Sequence, residues 1–167
     1  MGVIIKIADF KVAPNAINKN SYQENDLDGF IDLFEKPYLV RILGLELAET
    51  YLADCDPNGV PVTPSLQALN NPLQVLYRQK YVSSNGIKSI LKGFVRAEWL
   101  KELQKTQSPT GVSVTRSENS NAIHESYFHG YNEQIVQAMA VQIYCRNDRD
   151  TYPTFKGETL ETINPLW

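Results

Sequence analysis

The sequence predicts a mainly α-helical protein: a compact helical bundle with a long helical hairpin, a short extended loop or β finger, and extended N- and C-terminal arms. Apolar residues recur at helical spacing through much of the chain, which is typical of amphipathic helices. Between residues 86 and 147, two long helical patterns flank a polar loop. We therefore expect a helical domain over residues 21–149, with an arm of residues 1–20 before it and an arm of residues 150–167 after it.

The N-terminal segment is predicted to be an extended arm or an edge strand. Val3–Phe10 is apolar, rich in β-branched residues and followed by Pro14 and an asparagine-rich stretch. Ser21 and Glu24 then have the spacing of a capping box, which predicts the start of a helix. The apolar stripe Leu27–Ile42 continues in phase past a proline, which predicts one bent helix or two abutting helices.

The next segments carry weaker signals. We expect a second helix at Leu45–Ala53 and a type I turn at Asp56–Gly59, where Pro and Gly occupy their favoured turn positions. Two prolines, Pro61 and Pro64, predict an extended stretch. A further proline, suited to a first helical turn, predicts a helix over Leu73–Tyr81.

The helical hairpin is predicted to consist of Ile87–Thr106 and about His124–Arg146. In the first helix the apolar side rotates beyond Ala97, so we expect its two halves to pack against different partners, one of which can be another subunit. Alternating valines in the loop, within Val112–Thr115, favour an extended finger. The second helix is apolar nearly all round from Val136 to Tyr144, which indicates extensive burial.

Charge is unevenly distributed, although the net charge is only -3. Residues 24–56 contain nine acids and two bases, whereas residues 87–105 contain five bases and two acids. Such complementarity can stabilise the fold or steer one subunit onto another. The overall balance argues against a dedicated nucleic-acid binder. We interpret the bases of the Ile87–Thr106 helix as a solvated or subunit-facing surface, with contact to DNA phosphates as the alternative.

Metal binding is not expected, and no cofactor is predicted. The acids of Glu24–Glu35 resemble a calcium loop but are explained as acids near a helix N-terminus. Asp54–Ser65 resembles the first half of such a loop, but its last position carries no carboxylate. His124 and His129 lie about 140° apart on a helix, unlike the paired histidines of a zinc site.

The sequence contains no recognisable catalytic motif. The two histidines do not support a Ser-His-Asp or Cys-His arrangement, no carboxylate spacing singles out an acid-base pair, and no phosphate-binding glycine loop occurs. The two cysteines are interpreted as free thiols. No apolar run is long enough for a membrane span, and neither a signal peptide nor a myristoylation pattern begins the chain. We expect a reducing cytoplasm or a particle assembled there.

The final segment is polar at intervals but keeps many large apolar residues. We interpret it as an arm that docks on another protein, with wrapping over its own domain as the alternative. The apolar residues are Tyr152, Phe155, Leu160, Ile163, Leu166 and Trp167.

Several segments of the chain, and the order in which they follow one another, resemble the small helical head-to-tail connector (adaptor or neck) proteins of tailed bacteriophages. Among these, the connectors of crAss-like phages are the most similar in pattern. The resemblance spans about Leu27–Tyr144 and depends on pattern and order. It implies a non-enzymatic virion protein that forms a ring, commonly of twelve subunits, beneath the portal and continues the DNA channel. The segments that carry it are Phe34–Leu39, Leu43–Leu47, Gly93–Trp99, Val112–Thr115 and Ser117–Ser120.

The resemblance and the charge pattern together suggest specific contacts. The partners implied are other copies of this chain, the portal protein, and neck or tail proteins, with DNA passing through the lumen without specific binding and no membrane. An alternative is a helical oligomeric interaction or regulatory module, and a third hypothesis is a carboxylate-based enzyme. The residues assigned to subunit contacts are Arg96, Lys101, Glu118, Asn119, Ser120 and Asn121. The residues assigned to partner docking are Tyr152, Phe155 and Trp167.

Overall fold

Helices and two β-hairpins make up the described part of the chain. The structure, a computed structural model, describes residues 2–13, 15–17, 24–103, 105–108, 111–114 and 118–163. For residues 24–25, and for the described residues from 103 to 126 inclusive, it describes the backbone alone. The predicted mainly α-helical class is confirmed. In chain order the elements are the 3₁₀ helix Ile7–Lys11, α1 (Glu24–Leu43), α2 (Leu45–Asp54), α3 (Pro64–Asn70), β1 (Leu73–Tyr77), β2 (Lys80–Ser84), α4 (Ile87–Leu103), β3 (Lys105–Ser108), β4 (Gly111–Val114) and α5 (Glu118–Asn147).

The first two helices follow the predicted pattern. α1 runs through Pro37 as one helix, and its apolar stripe is buried in the core. Gly44 separates α1 from α2 with a φ of 85°, a conformation that favours glycine. A Cβ at this position would also lie 2.8 Å from the carbonyl carbon of Lys156. The C-terminal segment therefore passes directly over the α1–α2 junction.

The segment between α2 and α4 differs from the prediction. Pro64 begins the helix α3 instead of extending the chain, as its fixed φ allows at a first helical position. The helix predicted for Leu73–Tyr81 is wrong, because β1 and β2 form an antiparallel hairpin there. Its turn residues, Arg78 and Gln79, have φ values of 46° and 65°. Neither is glycine, so the sequence carries no strong hairpin signal at this turn.

The helical hairpin provides the largest helix-helix contact, between α4 and α5. Phe94 in the first half of α4 and Trp99 in the second half both belong to the same buried core. Both halves of α4 therefore contribute to one core, and the expectation that they pack against different partners stays a prediction. The predicted finger is confirmed as the β3–β4 hairpin. From Val136 to Tyr144, α5 is buried nearly all round, with Val136 itself as the exposed exception.

The N-terminal segment packs into the core through an acid on α1. Glu35 is buried, and its carboxylate accepts hydrogen bonds from the backbone N–H groups of Val3 (2.7 Å), Ile4 (3.0 Å) and Ile5 (2.7 Å). The edge-strand prediction for Val3–Phe10 is wrong, because a 3₁₀ helix follows these three residues and Glu35 takes the place of a neighbouring strand.

The C-terminal segment caps α1. The last helical carbonyls normally lack intrahelical donors, and here the backbone N–H of Glu158 donates to Arg41 O (2.8 Å) and that of Lys156 to Leu43 O (3.0 Å). The side-chain amide of Gln142 donates to Ile42 O (3.1 Å). The segment therefore wraps over its own domain, which the sequence left as the alternative to docking.

Candidate interaction site

Three bases, Lys88, Lys92 and Arg96, form a column along α4 because they are spaced by four residues. Lys88 Nζ lies 3.1 Å from a carboxylate oxygen of Asp9 and also donates to Asn58 O at 3.1 Å. The first base of the column is therefore neutralised within the chain.

Lys92 is buried, with an exposed fraction of 7%. Its ammonium donates to the backbone carbonyl of Val12 and lies 6.0 Å from the centroid of the Phe10 ring. Burial is the main cause that lowers the pKa of this lysine. The prediction of a solvated or subunit-facing surface is therefore wrong for Lys92, since the N-terminal segment folds across this part of α4.

Arg96 differs from the other two bases. Its side chain is half-buried against α5, where the guanidinium faces Gly130. Among the described residues, no hydrogen bond or ion pair to this guanidinium is found, and burial lowers its pKa. Arg96 was assigned to a subunit contact from the sequence, and its charge has no counter-ion in the part of the chain that the structure describes.

Lys101, also assigned to a subunit contact, lies 3.5 Å from a carboxylate oxygen of Glu98 and is half-exposed. The other carboxylate oxygen of Glu98 accepts a hydrogen bond from the Tyr38 hydroxyl at 2.6 Å. Tyr38 stacks on Phe94 at 4.2 Å, and burial followed by the bond to Glu98 raises its pKa well above the ordinary range. These contacts join α1 to the C-terminal half of α4. The sequence did not reveal the contact between Tyr38 and Glu98, because the two residues are far apart in the chain.

The run Glu118–Asn121 was predicted to lie in the loop before the second long helix. Its backbone instead forms the beginning of α5, so the predicted start near His124 is wrong. An acid in the first turn is favourable because it opposes the helix dipole. The side chains of Glu118, Asn119, Ser120 and Asn121 lie outside the described residues, so their assignment to a subunit contact stays a prediction.

Two of the three predicted docking residues belong to the core. Tyr152 and Phe155 have exposed fractions of 2% and 3%. The Tyr152 hydroxyl donates to Ser65 O at 2.7 Å, which ties this segment to α3. The prediction that these rings anchor a partner is therefore wrong, because the chain's own core already surrounds them. Trp167 lies outside the described residues.

The finger is the β3–β4 hairpin, of which the structure describes the backbone of residues 105–108 and 111–114. Its strands pair in register from Lys105 opposite Val114 to Ser108 opposite Gly111. Apart from this pairing, its main contact with another element is the one that β3 makes with α4.

The predicted turn at Asp56–Gly59 is confirmed by the hydrogen bond from Gly59 N–H to Asp56 O, 2.9 Å long. The Asp54 carboxylate accepts bonds from the backbone N–H and the hydroxyl of Thr63 (2.7 and 2.8 Å), and the backbone bond is the main cause of its lowered pKa. Cys55 and Cys145 are free thiols, and burial raises the pKa of Cys145 to about 12. These groups are therefore explained by the fold.

The chain matches no protein-family model, no curated protein and no solved structure. No described helix is both long and apolar enough to cross a membrane. Within the described ranges, His, Cys, Asp and Glu side chains also form no cluster suited to hold a metal ion.

Proposed function

We propose that this chain is a structural virion protein that forms a ring at the portal vertex of a tailed phage. In this role it joins the portal to the neck or tail proteins and continues the DNA channel. The proposal starts from the sequence resemblance to connector proteins, and the confirmed helical class and finger are compatible with it. The protein works by assembly and docking, without a chemical step.

The half-buried Arg96 guanidinium carries the proposal. A cation that has lost part of its hydration is unfavourable unless a carboxylate pairs with it, and among the described side chains no carboxylate pairs with Arg96. An acidic group supplied by a neighbouring copy removes this cost and fixes the orientation of the contact. Exposed acids on α1 and α2, among them Asp26 and Glu46, are the candidates for such groups on the neighbouring copy.

Two unlike surfaces on one subunit produce a head-to-tail contact, which closes into a ring when the rotation between subunits allows it. The finger, which follows α4 in the chain, supplies a second contact with the neighbour or lines the lumen. A chain with a net charge of -3 also suits a channel through which DNA slides, since numerous phosphate contacts would retain it.

The test combines Arg96→Glu with Lys101→Glu and compares the variant with Lys80→Glu, a matched reversal at an exposed position on β2. Each protein is mixed with portal particles and imaged by negative-stain electron microscopy. We expect rings beneath the portal for the natural sequence and for Lys80→Glu, and loss of rings for the double variant. Circular dichroism verifies that the double variant keeps its helices.

Absence of ring density from both the reconstituted particles and the neck of the native virion would refute the proposal. Light scattering provides a further distinction. Small stable oligomers with no affinity for portal particles would favour the helical interaction or regulatory module.

A further inference from the structure

A groove of about 590 Å³ lies between β2 and α5. Its lining on the strand side is continuous, because residues 81–84 all contribute to it. Neighbouring residues of a strand point to opposite faces of a sheet, so four in succession line one groove only along the edge of the strand. None of the residues of β1, all of them described, lines the groove. The groove therefore follows the edge of β2 that faces away from β1.

The turn of the β1–β2 hairpin determines which backbone groups lie on this edge. Both turn residues have positive φ, as in a type I′ turn, and the residues on either side of such a turn bond to each other. Hydrogen-bonded and non-hydrogen-bonded pairs then alternate along the ladder. Lys80 and Val82 therefore bond to β1, whereas Tyr81 and Ser83 direct their N–H and C=O groups away from it. Among the described residues, no further hydrogen bond to these four backbone groups is found.

Alternating N–H and C=O groups on a strand edge are complementary to one kind of occupant, an extended backbone. Domains that bind peptides by strand addition use these main-chain bonds for affinity and the surface beside the strand for selectivity. We propose that the groove binds an extended segment of a partner protein, which adds to β2 as a third strand. The proposal is independent of ring assembly and of the contact at Arg96.

The side chains along the groove define the chemistry of this segment. Tyr81 and Val136 expose 70% and 46% of their surfaces, and apolar groups this exposed beside a strand edge favour apolar side chains at alternate positions of the occupant. Glu133 is exposed and is the only Asp, Glu, Lys or Arg among the described lining residues. An acid favours a base on the occupant. The expected segment therefore alternates apolar and polar residues and carries a lysine or arginine.

Amide hydrogen exchange of the full natural chain tests whether the edge is free. We expect the amides of Tyr81 and Ser83 to exchange at least about tenfold faster than that of Val82, at every protein concentration. Slow exchange at Tyr81 and Ser83 would overturn the proposal. If the slow exchange did not depend on protein concentration, the same chain would already cover the edge, and if it was lost on dilution, a second copy would be the occupant.

A synthetic peptide then serves as the probe. It is acetylated and amidated, valine alternates with threonine along it, and one end carries a lysine. We expect it to slow exchange at Tyr81 and Ser83 by at least about tenfold, since strand addition gives both amides an acceptor. A peptide with glutamate in place of the lysine should bind several-fold more weakly, because of Glu133. Absence of protection at about 1 mM peptide would overturn the proposal, since an affinity that weak is not specific recognition.

Ser83→Pro removes one N–H from the edge and places the proline ring across it. Because this N–H faces away from β1, the ladder of the hairpin keeps its bonds, as it does where proline occupies an edge strand. We expect the affinity for the lysine peptide to fall by at least about tenfold. The matched control is Gln74→Pro, since Gln74 lies opposite Ser83 and its N–H faces the other edge of the hairpin.

The control variant should bind the peptide as the natural chain does. Unchanged affinity in Ser83→Pro would overturn strand addition at β2. Equal losses in the two proline variants would also overturn it, because the peptide would then depend on the hairpin as a whole and not on the edge that borders the groove.

Discussion

The two hairpins of this protein are similar in length but differ in what they contact. β1–β2 lies on α5, where Val75 packs against Ala140 and Ile143. β3–β4 pairs mainly with itself and meets the body at the end of α4. A two-stranded hairpin is at best marginally stable alone in water. The first hairpin is therefore stabilised by packing on α5.

The two hairpins also differ in the pattern of their residues. An alternating burial pattern along β1 places Val75 inward and Leu76 outward, as expected for a strand with one packed face. The finger consists of polar residues and small or β-branched ones. We therefore expect changes beneath β1–β2 to affect folding and changes in the finger to affect assembly.

The largest effect is expected for Ala140→Glu. This position is fully buried beneath β1–β2, and an unpaired carboxylate there should lower the free energy of unfolding by more than about 3 kcal/mol. Denaturant titration measures the change. Leu76→Glu, on the exposed face of the same hairpin, should change it by less than about 0.5 kcal/mol. Equal losses in the two variants would mean that the hairpin does not pack on α5.

A smaller effect is expected for Val75→Ala. Removing two methyl groups from a buried position should cost about 1–2 kcal/mol. The matched change at an exposed valine, Val62→Ala, should alter the free energy of unfolding by less than about 0.5 kcal/mol. Thermal or chemical unfolding measures both. An equal loss from the two variants would contradict the packing of Val75 on α5.

The side-chain bond from Gln137 to the hairpin is expected to contribute less again. Its carbonyl oxygen accepts from the backbone N–H of Asn85 at 3.0 Å, and Gln137→Ala should cost about 1 kcal/mol. Amide hydrogen exchange should accelerate at Asn85, since its N–H loses this acceptor. The control is Gln74→Ala on the outer face of β1, which should leave exchange at Asn85 unaltered.

The smallest effect is expected for the loop between α2 and α3, which is closed by hydrogen bonds from Thr63 to the carboxylate of Asp54. The two bonds from Thr63 favour the ionised carboxylate, so its folded pKa lies below its ordinary value. This contribution to stability is present above the unfolded-state pKa and is lost as pH falls through the folded pKa. Asp54→Asn should be slightly less stable than the natural chain at neutral pH, with a difference that shrinks in acid. Denaturant titrations at several pH values measure it, and a difference constant down to acid pH would contradict this assignment.

Much of the fold could be predicted from periodicity, because the amphipathic stripes of α1, α4 and α5 are long. The failures occurred where the signal was short. At residues 73–81 the prediction of a helix depended on one proline, while two non-glycine residues with positive φ produced a hairpin instead. Of the candidate site residues, Tyr152 and Phe155 belong to the core, whereas Arg96 is half-buried and its assignment to a subunit contact stays a prediction.

The sequence by itself determined the helical class, the long hairpin with its finger, and the opposite charges of the two segments. These properties depend on residue type and local spacing. Only the tertiary structure decided that Lys92 is covered by the N-terminal segment and that the C-terminal segment caps α1. Both outcomes depend on which polar groups remain without partners after the helices pack. Local spacing does not encode that information, because the donors and acceptors concerned come from distant parts of the chain.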